Sequence, residues 1–357
     1  MTNAENDTEA PAPSPAPPPP APLSAVALSR SAETGEWLAS RYADVEAILA
    51  DHRFEVPAAD DAGAAVGTIS WLRASVSRFA NGGEHERRRA RVIEQLRLLD
   101  PGELRAAVFQ RTGAVLSDAG RRGDRIDVMA RLARRVPMST MAAMLGVADR
   151  DLAADAAIAI AAGYFGGPDE RIRQAADAAT ARLVSLLDGV DMAGRVARIT
   201  LMVQACDATA GLIGGALHVL QDAPESGARW PTDAVLGEVL RHSPPVRASR
   251  RVARSPVELG GCQVSVGDVV VCSVDSANRD PAVFDQPDRF DPARTGPPSL
   301  TFGYGVRPCP GQPQALMLAA GVVDGVRERC ALSPGEPVEY LPSSPLRIPQ
   351  RLEVVLR

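Results

Sequence analysis

A glycine-rich loop that ends on a single cysteine constrains this chain more than any other stretch. Residues 302–311 read FGYGVRPCPG, with Arg307 two positions before Cys309 and Gly311 two positions after it. An apolar run over 315–323 follows and predicts a helix that starts at the cysteine. Because the N–H groups and partial positive charge of a helix N-terminus lower the pKa of a thiol, this cysteine loop predicts a thiolate.

The glycines and the arginine of the cysteine loop indicate a flat, anionic ligand. Gly303, Gly305 and Gly311 allow the backbone to approach a planar group closely and to take φ values that other residues avoid. Arg307 supplies a cation for an anionic group of that ligand. A turn with a buried cysteine is the alternative, which a lone C-x-G favours and the complete F-G-x-G-x-R-x-C-x-G string disfavours.

The cysteine loop resembles the haem-binding signature of the cytochromes P450. The resemblance implies that Cys309 is the axial thiolate of the iron of haem b, and that Arg307 pairs with a haem propionate. It also implies that Phe302 and Gly311 contact the cofactor. A thiolate donates electron density to iron and favours O–O cleavage. The implied fold is mainly α with a small β region, with haem between a long central helix and the cysteine-ligand helix.

Composition limits the cell compartment and the kinds of partner. The five cysteines are far apart and include no C-x-x-C pair, which argues against a disulfide framework or a zinc site and favours a reducing cytoplasm. A net charge of −5 gives no basis for a nucleic-acid partner. The N-terminus does not have the pattern of a signal peptide, and we find no apolar run of a length that spans a bilayer. We therefore expect a cytoplasmic protein without a membrane anchor.

The chain divides into a tail and one domain. Residues 1–23 are rich in Pro and Ala and lack residues that form a core, which predicts a disordered tail. The resemblance implies that 24–357 form a single cytochrome P450 domain. Within it, helical stretches dominate, a β-hairpin is predicted over 257–276, and short strands are predicted over 341–357.

Two stretches are candidates for the substrate pocket. Residues 55–82 are rich in Ala, Asp and Gly and predict an irregular segment, which by resemblance covers the distal haem face. Trp71 in this segment is a candidate pocket wall. The break at 163–168 corresponds to a lid in the family, so Phe165 is a second candidate. Ordinary core or turn packing is the alternative for both aromatic residues.

A helix over 81–96 carries a pair of candidate propionate ligands. His85 and Arg89 are spaced i, i+4, so both project from one helix face. They match the H-x-x-x-R pair of the family, which reaches a haem propionate, and Arg251 matches a third propionate ligand. An exposed, arginine-rich helix is the alternative.

The longest apolar helical run, 193–220, resembles the family helix that crosses the distal haem face, and Ala205 there is a candidate pocket residue. That helix usually carries an acid directly followed by a threonine, which together deliver protons. Here the sequence is A-C-D-A-T-A-G, so Asp207 and Thr209 are separated by Ala208 and lie about 200° apart on a regular helix. Either residue is a catalytic candidate, and the alternative for Asp207 is a partner away from haem.

A helix that contains E-V-L-R provides the family's E-x-x-R motif, about 70 residues before the cysteine. Glu238 and Arg241 lie on one face and can pair. By resemblance, Arg289 of P-D-R-F joins them in a buried structural charge network. Val246, after the following proline pair, is a candidate pocket residue.

The resemblance implies a haem-thiolate oxidase that activates O2 to hydroxylate a small organic molecule of secondary metabolism. No flavin or iron–sulfur motif occurs, so electrons from NAD(P)H arrive through a separate ferredoxin or flavoprotein reductase. The altered A-C-D-A-T step favours a second hypothesis, oxidative coupling or ring closure without oxygen insertion. A third hypothesis is a non-catalytic haem protein that binds a gas or another ligand.

Overall fold

The computed structural model describes residues 28–59, 63–167, 169–333, 337–342 and 345–357, so the predicted tail lies outside the described residues. The described chain is mainly helical with a small β region, as expected. Its helices are α1 Tyr42–Ala50, α2 Ile69–Ser75, α3 Gly82–Leu96, α4 Pro101–Ala119, α5 Arg135–Met144, α6 Arg150–Gly163, α7 Glu170–Leu186, α8 Met192–Asp222, α9 Pro224–Gly227, α10 Thr232–His242, α11 Val274–Ala277 and α12 Gln312–Arg329.

The strands form two small sheets and one hairpin. They are β1 Leu28–Arg30, β2 Trp37–Ala39, β3 Phe54–Glu55, β4 Arg125–Asp127, β5 Ala248–Ala253, β6 Val257–Leu259, β7 Cys262–Val264, β8 Val269–Ser273, β9 Cys330–Ala331 and β10 Glu353–Leu356. One sheet has the order β1-β2-β8-β5-β3, with only β2 and β8 parallel. The second has the order β4-β10-β9, and β6 pairs with β7 alone.

Capping side chains explain where several helices begin. The carboxylates of Asp100, Asp149, Asp169 and Asp191 each accept a hydrogen bond from a backbone N–H of the following first turn. Such caps satisfy N–H groups that have no partner within the helix. The long central helix α8 therefore begins where the chain supplies an aspartate cap.

The central helix α8 is the core of the helical layer. It spans 31 residues and packs against α3, α6 and α12. By length and composition it is apolar enough to cross a membrane. The sequence-based expectation that no apolar run is long enough to span a bilayer is therefore wrong. However, 67% of its most apolar window is buried inside the protein. Burial of most of its surface explains its apolar sequence without a bilayer.

Two hydrophobic clusters meet at the cysteine loop. The larger cluster fills the space between the helices, and the smaller one joins α1 to the five-stranded sheet. Leu300 belongs to the smaller cluster, whereas Phe302 packs against the larger one. The cysteine loop thus begins at the junction between the sheet and the helices.

Three local predictions differ from the structure. The segment 55–82 is not wholly irregular, because Thr68 caps α2 and a 3₁₀ turn follows at Ser77–Phe79. Over 257–276 only β6 and β7 form the hairpin, while β8 joins the larger sheet. The helix after the cysteine begins at Gln312 and not at Cys309, with Pro310 between them and Gly311 as the cap residue.

Candidate active site

The cysteine loop is held against α1 by positions that require glycine. Gly303 and Gly305 have φ values of +77° and +63°, where side chains are rarely tolerated. A Cβ added to Gly305 would lie 2.4 Å from Ala50 Cα. The Cys309 N–H donates to the Phe302 carbonyl at 2.7 Å and closes the loop. These constraints fix the position of the cysteine backbone.

Gly311 differs from the other two glycines, because the protein itself does not require it. Its φ is −100°, and an added Cβ would make only an ordinary contact, 3.6 Å from Leu96 Cδ2. Its N–H forms a hydrogen bond with the Cys309 sulfur. A glycine at this position therefore suits a planar group that approaches the cysteine loop closely.

Cys309 is exposed, whereas Cys206, Cys272 and Cys330 are buried. Burial nevertheless raises the pKa of the Cys309 thiol, and the Gly311 N–H and the charges of Arg89 and Arg78 act against it. The sulfur is surrounded by protein and yet accessible, as in an internal cleft. In the chain alone burial outweighs these groups, so the pKa of the thiol is raised and not lowered. A coordinated metal deprotonates such a thiol directly.

The α3 pair faces the same cleft. His85 Nδ1 lies 2.9 Å from the Ser77 carbonyl, and its Nε2 is buried without a hydrogen-bond partner among the described residues. Burial lowers the pKa of His85, the Ser77 carbonyl raises it, and the charges of Arg307 and Arg89 lower it again. Both arginines are thus close to this imidazole.

Arg251 and Arg307 complete a cationic cluster with His85 and Arg89. Alternation along β5 turns Arg251 inward, where it is 9% exposed, and burial lowers its pKa. Arg307 donates to the Ala80 carbonyl at 2.5 Å and to Asn81 Oδ1 at 3.1 Å. Burial lowers the pKa of Arg307 to about 10; the charges of Arg251 and Arg89 contribute, and that of Glu55, which pairs with Arg254, acts against them.

The cationic cluster fits the two propionates of haem. None of its three arginines forms an ion pair with a carboxylate in the described part of the chain. Like charges gathered in a partly buried space repel one another unless an anion joins them. The two carboxylates of haem, with its flat ring beside Gly311 and its iron at Cys309, would satisfy this set of residues.

On the distal side, Asp207 and Thr209 occupy different environments. The Arg134 Nε donates to Asp207 Oδ1 at 2.7 Å, so the carboxylate is engaged by an arginine from the end of the π-helical turn Met129–Ala133. Thr209 is 2% exposed, and its Oγ1 has no hydrogen-bond partner among the described residues. The two side chains therefore point to different parts of the protein, as expected from their separation of about 200° around the helix axis.

The hydroxyl of Thr209 departs from the behaviour of other buried helical threonines. Thr112, Thr140, Thr180 and Thr200 each donate to the carbonyl four residues earlier in their helix. Such a bond is the usual way to satisfy a hydroxyl within a helix. The Thr209 hydroxyl makes no such bond and remains available to a ligand or a water molecule.

One face of α8 is partly accessible within an otherwise buried stretch. This face carries Gln204, Ala205 and Ala208. Gln204 Nε2 donates to the Tyr164 hydroxyl at 2.9 Å and so ties α8 to the end of α6. Burial raises the pKa of Tyr164 to about 12, so the hydroxyl stays protonated. Gln204 was not among the site residues expected from the sequence, since only its tertiary contact with Tyr164 distinguishes it.

The remaining pocket candidates lie in three places. Phe165 is 43% exposed and stacks edge-on against Tyr164 at 5.7 Å between ring centroids. Val246 is half-buried and bridges to Leu346. Trp71 lines a groove of about 270 Å³ between α2, α3 and the start of α8, and that lining includes neither Cys309 nor the cationic cluster. The structure therefore does not bring Trp71 together with the cysteine loop.

The E-x-x-R pair forms the expected buried network, with one correction. Arg241 donates to both Glu238 oxygens, at 2.9 and 2.7 Å, and each side chain is 4% exposed. Arg289 contributes its backbone carbonyl, which accepts from Arg241, while its side chain is exposed. The guanidinium near Glu238 is that of Arg294, at 3.4 Å. Both arginines occur within P-D-R-F-D-P-A-R, and the geometry of the turn places Arg294, not Arg289, beside Glu238.

Comparison with known proteins identifies the family. A family model for cytochrome P450 matches residues 231–323. Nocardicin C N-oxygenase from Nocardia uniformis subsp. tsuyamanensis is 30% identical over 317 residues, which cover 77% of each chain. The chain belongs to the cytochrome P450 family. The cytochrome P450 monooxygenase PikC from Streptomyces venezuelae is 30% identical over 253 residues, or 60% of each chain, and supports assignment of this P450 to the monooxygenase class.

Solved P450 structures share the fold. The crystal structure of CalO2 has a TM-score of 0.80 and 23% identity, and covers 93% of each chain. That of P450BioI, bound to an acyl carrier protein that carries hexadec-9Z-enoic acid, has a TM-score of 0.80 and 20% identity. It covers 93% of this chain and 95% of P450BioI. These matches confirm the mainly α architecture with a small β region.

Proposed function

We propose that this P450 binds haem b through Cys309 and oxidises a small organic substrate, with hydroxylation as its reaction. The observation that carries the proposal is the accessible sulfur of Cys309 beside a cationic cluster that lacks a carboxylate partner in the described chain. Relatives named for nocardicin C and as PikC support a substrate from secondary metabolism. Haem, when bound, supplies the oxidising chemistry at its iron.

The residues of the chain have separate tasks in this proposal. Cys309 supplies the sulfur ligand, and the Gly311 N–H stabilises negative charge on that sulfur. His85, Arg89, Arg251 and Arg307 hold the propionates, and His85 takes up a proton at Nε2 when it donates to one of them. Phe302 supports the loop through its carbonyl.

The distal face controls protons and the substrate. Thr209 Oγ1, which has no partner among the described residues, holds a water molecule near the accessible face of α8. Asp207 positions α8 through Arg134 and does not donate protons directly, because the arginine engages its carboxylate. Ala205, Val246 and Phe165 contact the substrate. Electrons come from NAD(P)H through a ferredoxin or a flavoprotein reductase in the cytoplasm.

Spectroscopy of the reduced, CO-bound protein tests the proposal. We expect the Cys309→Ala variant to lose the thiolate signature of wild-type protein, because the sulfur ligand is removed. Cys262→Ala is the matched control, since Cys262 lies half-buried in the β6–β7 hairpin, and it should keep the signature. A signature that survives in Cys309→Ala would refute the ligand assignment.

Oxidative coupling or ring closure without oxygen insertion is a second candidate. It is favoured by Ala208, which stands directly after Asp207 where the family's threonine is expected, and by the engagement of Asp207 with Arg134. Labelling with ¹⁸O2 separates the two reactions. Label in the product supports hydroxylation, whereas full turnover to an unlabelled product supports coupling. Turnover of either kind would dismiss the non-catalytic haem protein, which the enzyme relatives already disfavour.

A further inference from the structure

Arg78 is an arginine without an anionic partner in the described part of the molecule. It lies in the 3₁₀ turn between α2 and α3, and its side chain is exposed. Its guanidinium carbon lies 5.1 Å from the centroid of the Phe165 ring. No carboxylate lies within ion-pair distance of it among the described residues. The charge is thus positioned by an aromatic ring and left available for a ligand.

The charge of Arg78 reaches the cleft at the cysteine. It lowers the pKa of the Cys309 thiol, the Tyr164 hydroxyl and the Arg251 guanidinium. These three groups belong to the cysteine loop, the end of α6 and β5. Arg78 therefore lies close to groups from three different elements.

An aromatic wall stands next to this charge. The ring centroids of Phe79 and Tyr164 are 5.5 Å apart, and those of Tyr164 and Phe165 are 5.7 Å apart. The hydrogen bond from Gln204 fixes Tyr164 against α8. A cation beside a row of rings suits a ligand with an anionic end and an apolar body.

Two kinds of anion require a cation in this proposal, the haem propionates and a substrate carboxylate. The cationic cluster already offers four side chains to the two haem propionates. Arg78 is not one of these four side chains, although its charge acts on Arg251, and its ring contact is with Phe165, which follows α6 on the distal side. An arginine binds a carboxylate through two parallel hydrogen bonds, so one such residue is sufficient for one substrate acid.

We propose that Arg78 binds the carboxylate of an organic acid substrate, whose apolar body packs against Phe79 and Phe165. This inference rests on the proposed haem-thiolate function, because it names the substrate class of the same site. It restricts the substrate to organic anions and gives Arg78 a specificity-determining role.

Soret-shift titrations of haem-loaded protein test the inference. The probes are phenylacetate, phenylbutyrate and phenylhexanoate, each paired with its primary amide. We expect at least one acid to bind wild-type protein about tenfold more tightly than its amide, since a charge-assisted hydrogen bond is lost with the amide. Arg78→Gln should abolish that preference. Arg122→Gln removes an equal charge from an exposed loop after α4 and should retain it.

Haem content and the CO spectrum are measured on each variant before titration. Equal affinity for acids and amides, no shift with any acid, or a preference retained in Arg78→Gln would overturn the inference. Loss of haem from Arg78→Gln alone would also overturn it, because Arg78 would then belong to the propionate ligands. A wild-type protein without the thiolate signature would overturn the proposed function as well, which distinguishes the two failures.

Discussion

At the residue scale, two buried atoms bear on the proposed binding of the cofactor and of a water molecule. His85 Nε2 and Thr209 Oγ1 are buried without a hydrogen-bond partner among the described residues. An unpaired buried polar atom costs about 1–3 kcal/mol, so protein folding alone does not favour either arrangement. Both atoms instead gain partners if a propionate and a water molecule bind, as proposed for this site.

Removal of the Thr209 hydroxyl gives a first prediction. We expect Thr209→Val to leave the free energy of unfolding of haem-free protein unchanged or to raise it by about 1 kcal/mol, because an unsatisfied hydroxyl disappears. Thr200→Val is the matched control: it removes a hydroxyl that donates to the Val196 carbonyl, and it should lower stability by about 1 kcal/mol. Urea unfolding measures both. Equal destabilisation by the two changes would mean that the Thr209 hydroxyl has a protein partner.

The pKa of His85 gives a prediction about pH. Burial lowers this pKa in the folded chain from an ordinary value of about 6.5. Between the two values the unfolded chain binds more protons, so the stability of haem-free protein rises with pH and falls as pH decreases through that window. We expect His85→Asn to lose this part of the pH dependence in urea unfolding, while the contribution of His242, whose pKa burial also lowers, remains. Stability curves of wild type and variant that stay parallel below about pH 7 would contradict this.

At the scale of elements, a buried charge network joins α10 to the segment that precedes the cysteine loop. Arg241 donates to the carbonyls of Asn278, Pro287 and Arg289. Asn278 in turn contacts the Leu240 carbonyl and the Thr301 hydroxyl. Since Thr301 directly precedes the cysteine loop, the network fixes where that loop begins. Its role is structural, because none of these groups reaches the sulfur.

The two arginines of the P-D-R-F-D-P-A-R stretch provide a matched test of this network. Arg294 lies 3.4 Å from buried Glu238 and donates to three backbone carbonyls, whereas the Arg289 side chain is exposed. We expect Arg294→Gln to lower the free energy of unfolding by about 1–3 kcal/mol. Arg289→Gln should change it by less than about 0.5 kcal/mol. Thermal unfolding and haem retention are measured for both variants. A larger loss in Arg289→Gln than in Arg294→Gln would show that the Arg289 side chain belongs to the network.

At the scale of the whole molecule, the site is assembled from distant parts of the chain. The cationic cluster takes residues from α3, β5 and the cysteine loop, and the distal face comes from α8 with the end of α6. No one segment contains both the sulfur ligand and the groups above it. The fold therefore positions the site by packing. The larger hydrophobic cluster holds the helices, and the smaller one holds the five-stranded sheet beside the start of the cysteine loop.

Local sequence determined those features that depend on short-range chemistry. The order of glycines around Cys309 specified the loop, because φ values near +70° and close backbone contact with α1 exclude side chains there. The i, i+4 spacing of His85 and Arg89 placed both on one helix face, and the apolar run of 193–220 predicted a long helix. These features follow from backbone geometry and periodicity, which a sequence carries directly.

Tertiary structure alone decided which charges meet. Whether Asp207 faces the cleft or Arg134, whether Arg289 or Arg294 approaches Glu238, and whether the Cys309 thiol is stabilised as an anion all depend on residues far away in the chain. Electrostatic energy varies with distance and burial, and neither is encoded in local spacing. For the same reason Arg78 was one arginine among many in the sequence, and became a candidate substrate ligand only beside Phe165 and the cysteine cleft.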